Sequence, residues 1–205
     1  MIEIFTVQQA KDSILRRDNS LIDPAIPEGM QRGIERVFGE RIGPDEGVRR
    51  ILRDVRQRGD VALRDWTNKI DGLTLESLKV DEEWVKTAVS RIPTDLADAL
   101  RIAADRIRQF HQHQPLPSWE TDVLGGRLGQ NVPPLSRVGV YVPGGTAPHP
   151  SSLLMSVIPA QVAGVPDIVV ATPPGRPDGQ VPDVTLAAAA IAGINTVYTL
   201  GGAQA

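Results

Sequence analysis

The chain has 205 residues, enough for one or two domains with a sizeable core, and sets 22 Lys and Arg against 25 Asp and Glu for a net charge of −3. That balance provides no basic field to recruit nucleic acid or an anionic membrane, and the lack of cysteine excludes disulfides and thiolate metal sites. No stretch approaches the ~20 apolar residues of a membrane span, and Lys11 and Asp12 interrupt the N-terminal segment before any apolar run of signal length. The chain reads as soluble and cytoplasmic.

Charge is unevenly distributed. Beyond residue 132 the only charged side chains are Arg137, Asp167, Arg176, Asp178 and Asp183. A domain boundary is expected at Asn131-Val-Pro-Pro-Leu-Ser136, dividing a helical segment with a hairpin, 1–132, from an α/β segment, 133–205.

Pro44 suits a first helical turn, and Val48, Ile51, Leu52 and Val55 follow at helical spacing before Gly59 ends the segment. A second helix starts near Asp60, with Ala62, Trp66 and Ile70 on one face, and stops at Asp71-Gly72. Leu73–Val80 reads as a loop with a possible edge strand. Asp81 then caps a helix carrying Trp84, Ala88 and Val89. The longest helix begins at Pro93, where Leu96, Leu100, Ala103, Ile107 and Phe110 predict a seam against another helix. Trp119–Val123 and Arg127–Val132 flank Gly125-Gly126, a hairpin signal.

The second segment alternates. Arg137–Val142 reads as a strand, Ser151–Ala163 as a helix with an internal Pro159, and Asp167–Thr172 as a strand. Pro173–Pro182 reads as a surface loop, Val184–Ala192 as a tightly packed helix and Thr196–Leu200 as a third strand. This βαβαβ order with short connections predicts a Rossmann-like parallel sheet in an α/β fold. Three strands with an edge left open also predict self-association.

In such sheets ligands bind at the carboxyl ends of the strands. Tyr141 ends the first strand just before Pro143-Gly144-Gly145, and Gln204 follows the third by way of Gly201-Gly202. A tyrosine ring for stacking, an amide that donates and accepts, and glycines that let backbone approach closely fit a nucleotide. There is no G-x-G-x-x-G, and the second strand ends in Thr172-Pro173-Pro174 with no acid for a ribose, so the usual dinucleotide fingerprint is absent. His111 and His113 diverge at helical spacing and read as surface. His149 alone lies near the glycine loop, and no carboxylate pair or Ser/His/Asp arrangement accompanies it.

The run Val138-Gly-Val-Tyr-Val-Pro-Gly-Gly-Thr-Ala-Pro148, then Ser151-Ser-Leu-Leu-Met155, Ile158-Pro-Ala-Gln-Val-Ala-Gly164 and Gly201-Gly-Ala-Gln-Ala205, closely resembles histidinol dehydrogenase. Val55-Arg-Gln-Arg-Gly-Asp-Val-Ala-Leu63 and Phe110-His111 resemble the same family, while Pro173–Asp183 is a few residues longer than its usual loop. The resemblance implies an enzyme of histidine biosynthesis that oxidises L-histidinol to L-histidine in two NAD-dependent steps, using zinc, as an intertwined homodimer. It implies NAD contacts at Tyr141 and Gln204, with Gly144 and Gly145 in the loop beside them. It places the zinc ligands and the catalytic residues outside this chain, which then reads as an N-terminal half, inactive alone. Two other readings fit the same residues: a non-catalytic nucleotide-binding or assembly module, and half of a related dehydrogenase acting on another alcohol.

Overall fold

A computed structural model describes residues 3–15, 26–114, 117–144, 147–175 and 177–205. The chain forms two compact units, Met1–Arg49 and Arg50–Ala205. The compositional boundary at 132/133 falls inside the second unit, because helices formed by residues 82–112 pack on those that cover the parallel sheet.

In the first unit, α1 (Val7–Asp12) starts with a capping box: the Thr6 hydroxyl accepts from the Gln9 amide, and the Gln9 side chain accepts from the Thr6 amide. The second helix, α2 (Glu28–Phe38), ends on Gly39 in the left-handed region. Ile4, Val7, Ile14 and Leu15 are all exposed. The next helix, α3 (Pro44–Arg58), begins in this unit and continues in the second.

The second unit opens with a helix pair joined by polar contacts. After α3 the chain turns at Gly59 into α4 (Asp60–Asp71), which stops at left-handed Gly72 as expected. Of the face expected on α3, Ile51 is buried and Val55 half-buried, whereas Val48 and Leu52 stay exposed. On α4, Ala62 and Trp66 are buried and Ile70 half-buried. The Trp66 indole donates to Asp54 at 2.8 Å, and Arg58 grips both Asp54 oxygens at 2.6 Å while reaching Asp65 at 2.7 Å.

Asp81 caps α5 (Glu82–Lys86) as its sequence suggests, accepting from the Glu83 and Trp84 amides. The helical stretch is split, however, and continues as a 3-10 turn at Ala88–Arg91. Val85 and Ala88 enter the core, and Trp84 remains exposed beneath the Arg91 guanidinium, 3.7 Å from its ring centre. Arg91 also donates to Asp183 at 2.8 Å, tying this turn to the first turn of α8 (Asp183–Ile191).

The long helix α6 (Thr94–Gln112) corrects the expected seam. Its buried residues are Ala97, Leu100 and Ala104, while Leu96 and Phe110 are exposed, the latter at 62%. Ala103 and Ile107 are half-buried against the same core, so the middle of the expected stripe packs inward, against α7 (Pro150–Val162) and α8, while its two ends stay exposed. Small residues at the crossing let the axes approach, and Arg108 donates to the Gln161 side chain, which itself donates to the Ala192 carbonyl at the end of α8.

The hairpin expected around Gly125-Gly126 forms between β1 (Trp119–Thr121) and β2 (Leu128–Gln130), antiparallel, with shorter strands than expected. The strands β3 (Arg137–Tyr141), β4 (Asp167–Thr172) and β5 (Val197–Thr199) then form the expected parallel sheet in the order β3-β4-β5. One face, through Val140, Val142, Val170 and Val197, packs in a single core with Leu153, Leu154, Val157 and Ile158 of α7 and the buried Leu186–Ala189 of α8. Of the loop with a possible edge strand at 73–80, an isolated antiparallel bridge forms: Lys79 pairs with Tyr198 of β5, with Val80 donating to Val197 and Thr199 donating to Leu78. That leaves the outer edge of β3 unpaired among the described residues. Among those residues no helix is long and apolar enough to cross a membrane.

Two outcomes follow for stability. Leu154, fully buried in the sheet–helix layer, should cost about 2–5 kcal/mol on replacement by alanine in urea unfolding, whereas exposed Leu52→Ala should cost about 0.5 kcal/mol or less. The Arg58 guanidinium, with the Trp66 indole assisting against partial desolvation, holds the Asp54 carboxyl below its ordinary value. A depressed carboxyl stabilises the fold above the unfolded value near 4 and loses that contribution as pH falls further. The urea midpoint of Asp54→Asn should therefore lie below the parent's at pH 7, with the gap narrowing toward pH 3.

Candidate functional site

The three strand ends converge at the carboxyl edge. Beyond the strands themselves, the Val142 amide donates to Ala171 and the Leu200 amide to Thr172, each at 2.8 Å, so backbone pairing carries the chain into both glycine-rich segments. Pro173, just after β4, stands between them. A β-carbon at Gly144 would lie 3.3 Å from Pro173 and from the Thr172 hydroxyl, and one at Gly201 would lie 3.0 Å from Pro173. Glycine at these positions is what lets the loops after β3 and β5 close on the end of β4.

The sheet has a second face. Register pairs Tyr141 with Ala171 and Ala171 with Tyr198, and residues in one row across a sheet share a face. That row lies opposite the packed layer, so Tyr141 is 46% exposed where Val140 and Val142 are buried. A cavity of about 590 Å³ lies over this face. Its floor includes Gly139, Tyr141, Ala171 and Tyr198; Leu200 and Ala205 close one side, and Asp60, Leu63 and Arg64 of α4 with residues 77–79 form the other. The cavity is the size of a small-molecule site, with an apolar floor and few polar groups.

The expected site residues are placed unequally. Tyr141 lines the cavity. Gly144 is half-buried against Thr172 and Pro173 and does not line it. Gly145 lies outside the described residues. Gln204 sits in the short 3-10 turn Gly202–Gln204, one residue before cavity-lining Ala205, and is only 4% exposed. Neither its amide nitrogen nor its amide oxygen has a hydrogen-bond partner. Burying an unpaired polar group costs about 1–3 kcal/mol, and a side-chain amide seeks both donors and acceptors. Gly202 turns the chain here with φ of 64°, and a β-carbon on it would come within 2.6 Å of the Gln204 oxygen.

The histidines stand apart from the cavity lining. His149 occupies the cap position before α7 without a side-chain capping bond, and His111 meets the Phe110 ring edge-on at 5.2 Å near the end of α6. Among the described residues no group of three or more His, Cys, Asp or Glu side chains could hold a metal ion. Of the cavity's lining, sequence reasoning singled out Tyr141 as a site residue and missed the wall. Asp60 and Leu63 fall in the Val55–Leu63 run without having been read as site residues, Arg64, Ser77 and Lys79 carry no motif, and the further signal was the possible edge strand within 73–80.

Comparison with known proteins gives the same picture. The family model described as histidinol dehydrogenase matches residues 41–205. The histidinol dehydrogenase of Deinococcus radiodurans is 49% identical over 180 residues, covering 88% of this chain and 41% of that protein. That of Methanosarcina mazei is 48% identical over 178 residues, 86% of this chain and 41% of the other. The crystal structure of histidinol dehydrogenase from Elizabethkingia anophelis is similar with a TM-score of 0.74 at 29% identity, over 88% of this chain and 42% of that one. The chain thus spans about two fifths of the length of these relatives. The Tyr-Val-Pro-Gly-Gly block, the parallel sheet that presents it and a match running from residue 41 to residue 205 agree: the chain belongs to the histidinol dehydrogenase family.

Proposed function

We propose that this chain supplies part of the NAD site of an enzyme that oxidises L-histidinol to L-histidine. The single observation that carries this reading is the Gln204 carboxamide, buried at the carboxyl edge of the sheet with both polar atoms unpaired, beside a cavity floored by Tyr141. These residues suit a dinucleotide. The amide can donate to and accept from a base or carboxamide, the Tyr141 ring offers a stacking surface and a hydroxyl, and Gly144 and Gly145 bring loop backbone close. When bound, NAD supplies a hydride acceptor; the work of the chain's own residues is to bind and orient it and to keep water from one side. The 133–205 segment is the nucleotide-binding part in this reading.

Zinc, which the family implies, finds no ligand set among the described residues. The catalytic residues are assigned outside this chain. The 205-residue chain given histidinol, NAD and zinc should therefore produce no NADH, while binding NAD measurably by calorimetry. Sustained turnover would overturn the assignment. Tyr141→Ala and Gln204→Ala should each weaken NAD binding about tenfold, the scale of one good polar or stacking contact; binding equal to the parent in both would place the cofactor elsewhere.

A homodimer is part of the same proposal. The unpaired outer edge of β3 supports it, being a template for strand pairing, and so do the exposed Ile4, Val7, Ile14 and Leu15 in the first unit. Light scattering at moderate concentration should give a dimer mass, and a monodisperse monomer would refute this part.

A further inference from the structure

The cavity wall carries chemistry that none of the recognised motifs contains. Lys79 forms an antiparallel bridge with Tyr198 on the free side of β5. Directly paired residues in an antiparallel bridge share a face, so Lys79 extends the row Tyr141–Ala171–Tyr198 by one position beyond β5. Neighbouring strands lie about 4.8 Å apart, which puts Tyr141 and Lys79 roughly 14 Å apart along the same floor. Arg64 reaches the cavity from α4, with Asp60 one turn earlier on the same helix face.

Both cations are exposed and neither belongs to an ion pair among the described residues. Lys79 acts on Glu82 only through space, as a minor influence behind Lys86. Several other cations of the second unit are engaged: Arg58 with Asp54 and Asp65, Lys86 with Glu82, Arg91 with Asp183, and Arg137 with Asp167; what sets Lys79 and Arg64 apart is their place in the cavity lining. Asp60 is the one acidic side chain in the lining, leaving its side chains a net positive charge.

We propose that Lys79 and Arg64 form an anion-binding rim on this cavity and hold the pyrophosphate of the dinucleotide whose ring stacks on Tyr141. The assignment rests on the NAD reading above. It also answers a deficit noted in the sequence: the chain has no G-x-G-x-x-G with which backbone amides could cradle phosphates. Side-chain cations take that role, and the contacts they make should be salt-sensitive because both groups are exposed.

The test compares ligands with and without phosphate on the same 205-residue chain, using calorimetry with NAD, adenosine and inorganic pyrophosphate. Lys79→Gln and Arg64→Gln should each weaken NAD binding about five- to tenfold, the scale of a charge-assisted contact reduced by solvent, and leave adenosine binding unchanged. Lys79→Arg should retain most of the affinity. Raising salt from about 0.05 to 0.5 M should weaken NAD binding to the parent more than to the double variant. If the double variant binds NAD like the parent while Tyr141→Ala and Gln204→Ala still weaken it, the NAD site stands and the rim is wrong. Pyrophosphate binding that depends on Lys79 and Arg64, with NAD binding no tighter and indifferent to Tyr141→Ala, would keep the rim and overturn the NAD reading. Binding of neither would overturn both. Both positions are exposed, so an unchanged urea midpoint should separate lost binding from lost folding.

Discussion

A parallel sheet must bury its apolar residues under helices, and among the described residues α7 and α8 supply that layer on one face. Val140, Val142, Val170 and Val197 meet α7 and α8 in a core from which water is excluded, and the rest of the second unit is arranged around it. The alternation of a strand, two residues per repeat, then forces Gly139, Tyr141, Ala171 and Tyr198 to the opposite side. Tyr141 is available to a ligand because its neighbours Val140 and Val142 are not. A one-residue slip in the register of β3 would bury the ring and expose the valines, so the apolar layer selects the register and the register orients the site.

The same layer explains the polar contacts around it. Arg91 bonded to Asp183, and Gln161 linking Arg108 to the Ala192 carbonyl, tie α6 and the 3-10 turn to the two helices over the sheet. These bonds join segments far apart in sequence, and each satisfies a group that would otherwise be partly desolvated without a partner. At the carboxyl edge, by contrast, the buried Gln204 amide has neither its nitrogen nor its oxygen paired. A buried amide with both polar atoms unpaired, at the end of a strand and beside a cavity, is what a ligand site is expected to contain.

Much of the fold could be read from pattern. The boundaries of α4, the Asp81 cap, the hairpin at Gly125 and the parallel strands follow from local chemistry: a capping oxygen, a left-handed glycine, a run of β-branched residues. The seam of α6 holds in its middle and not at its ends: Leu100 is buried and Ala103 and Ile107 half-buried, while Leu96 and Phe110 stay exposed, because periodicity shows which residues share a face and not which of them meet a partner. On α5, Val85 enters the core, and the Trp84 ring stays partly exposed against the Arg91 guanidinium.

By itself the sequence determined the family, the βαβαβ order and the choice of Tyr141, Gly144, Gly145 and Gln204 as candidates, because these depend on residue types at short range. Tertiary structure decided which face Tyr141 presents, that Gly144 and Gly201 close on Pro173, and that Lys79 forms a bridge with Tyr198. Those depend on strand register and on contacts between segments more than a hundred residues apart, such as Lys79 with Tyr198. No local pattern encodes such a pairing; it appears only once the apolar layer has set the sheet in place.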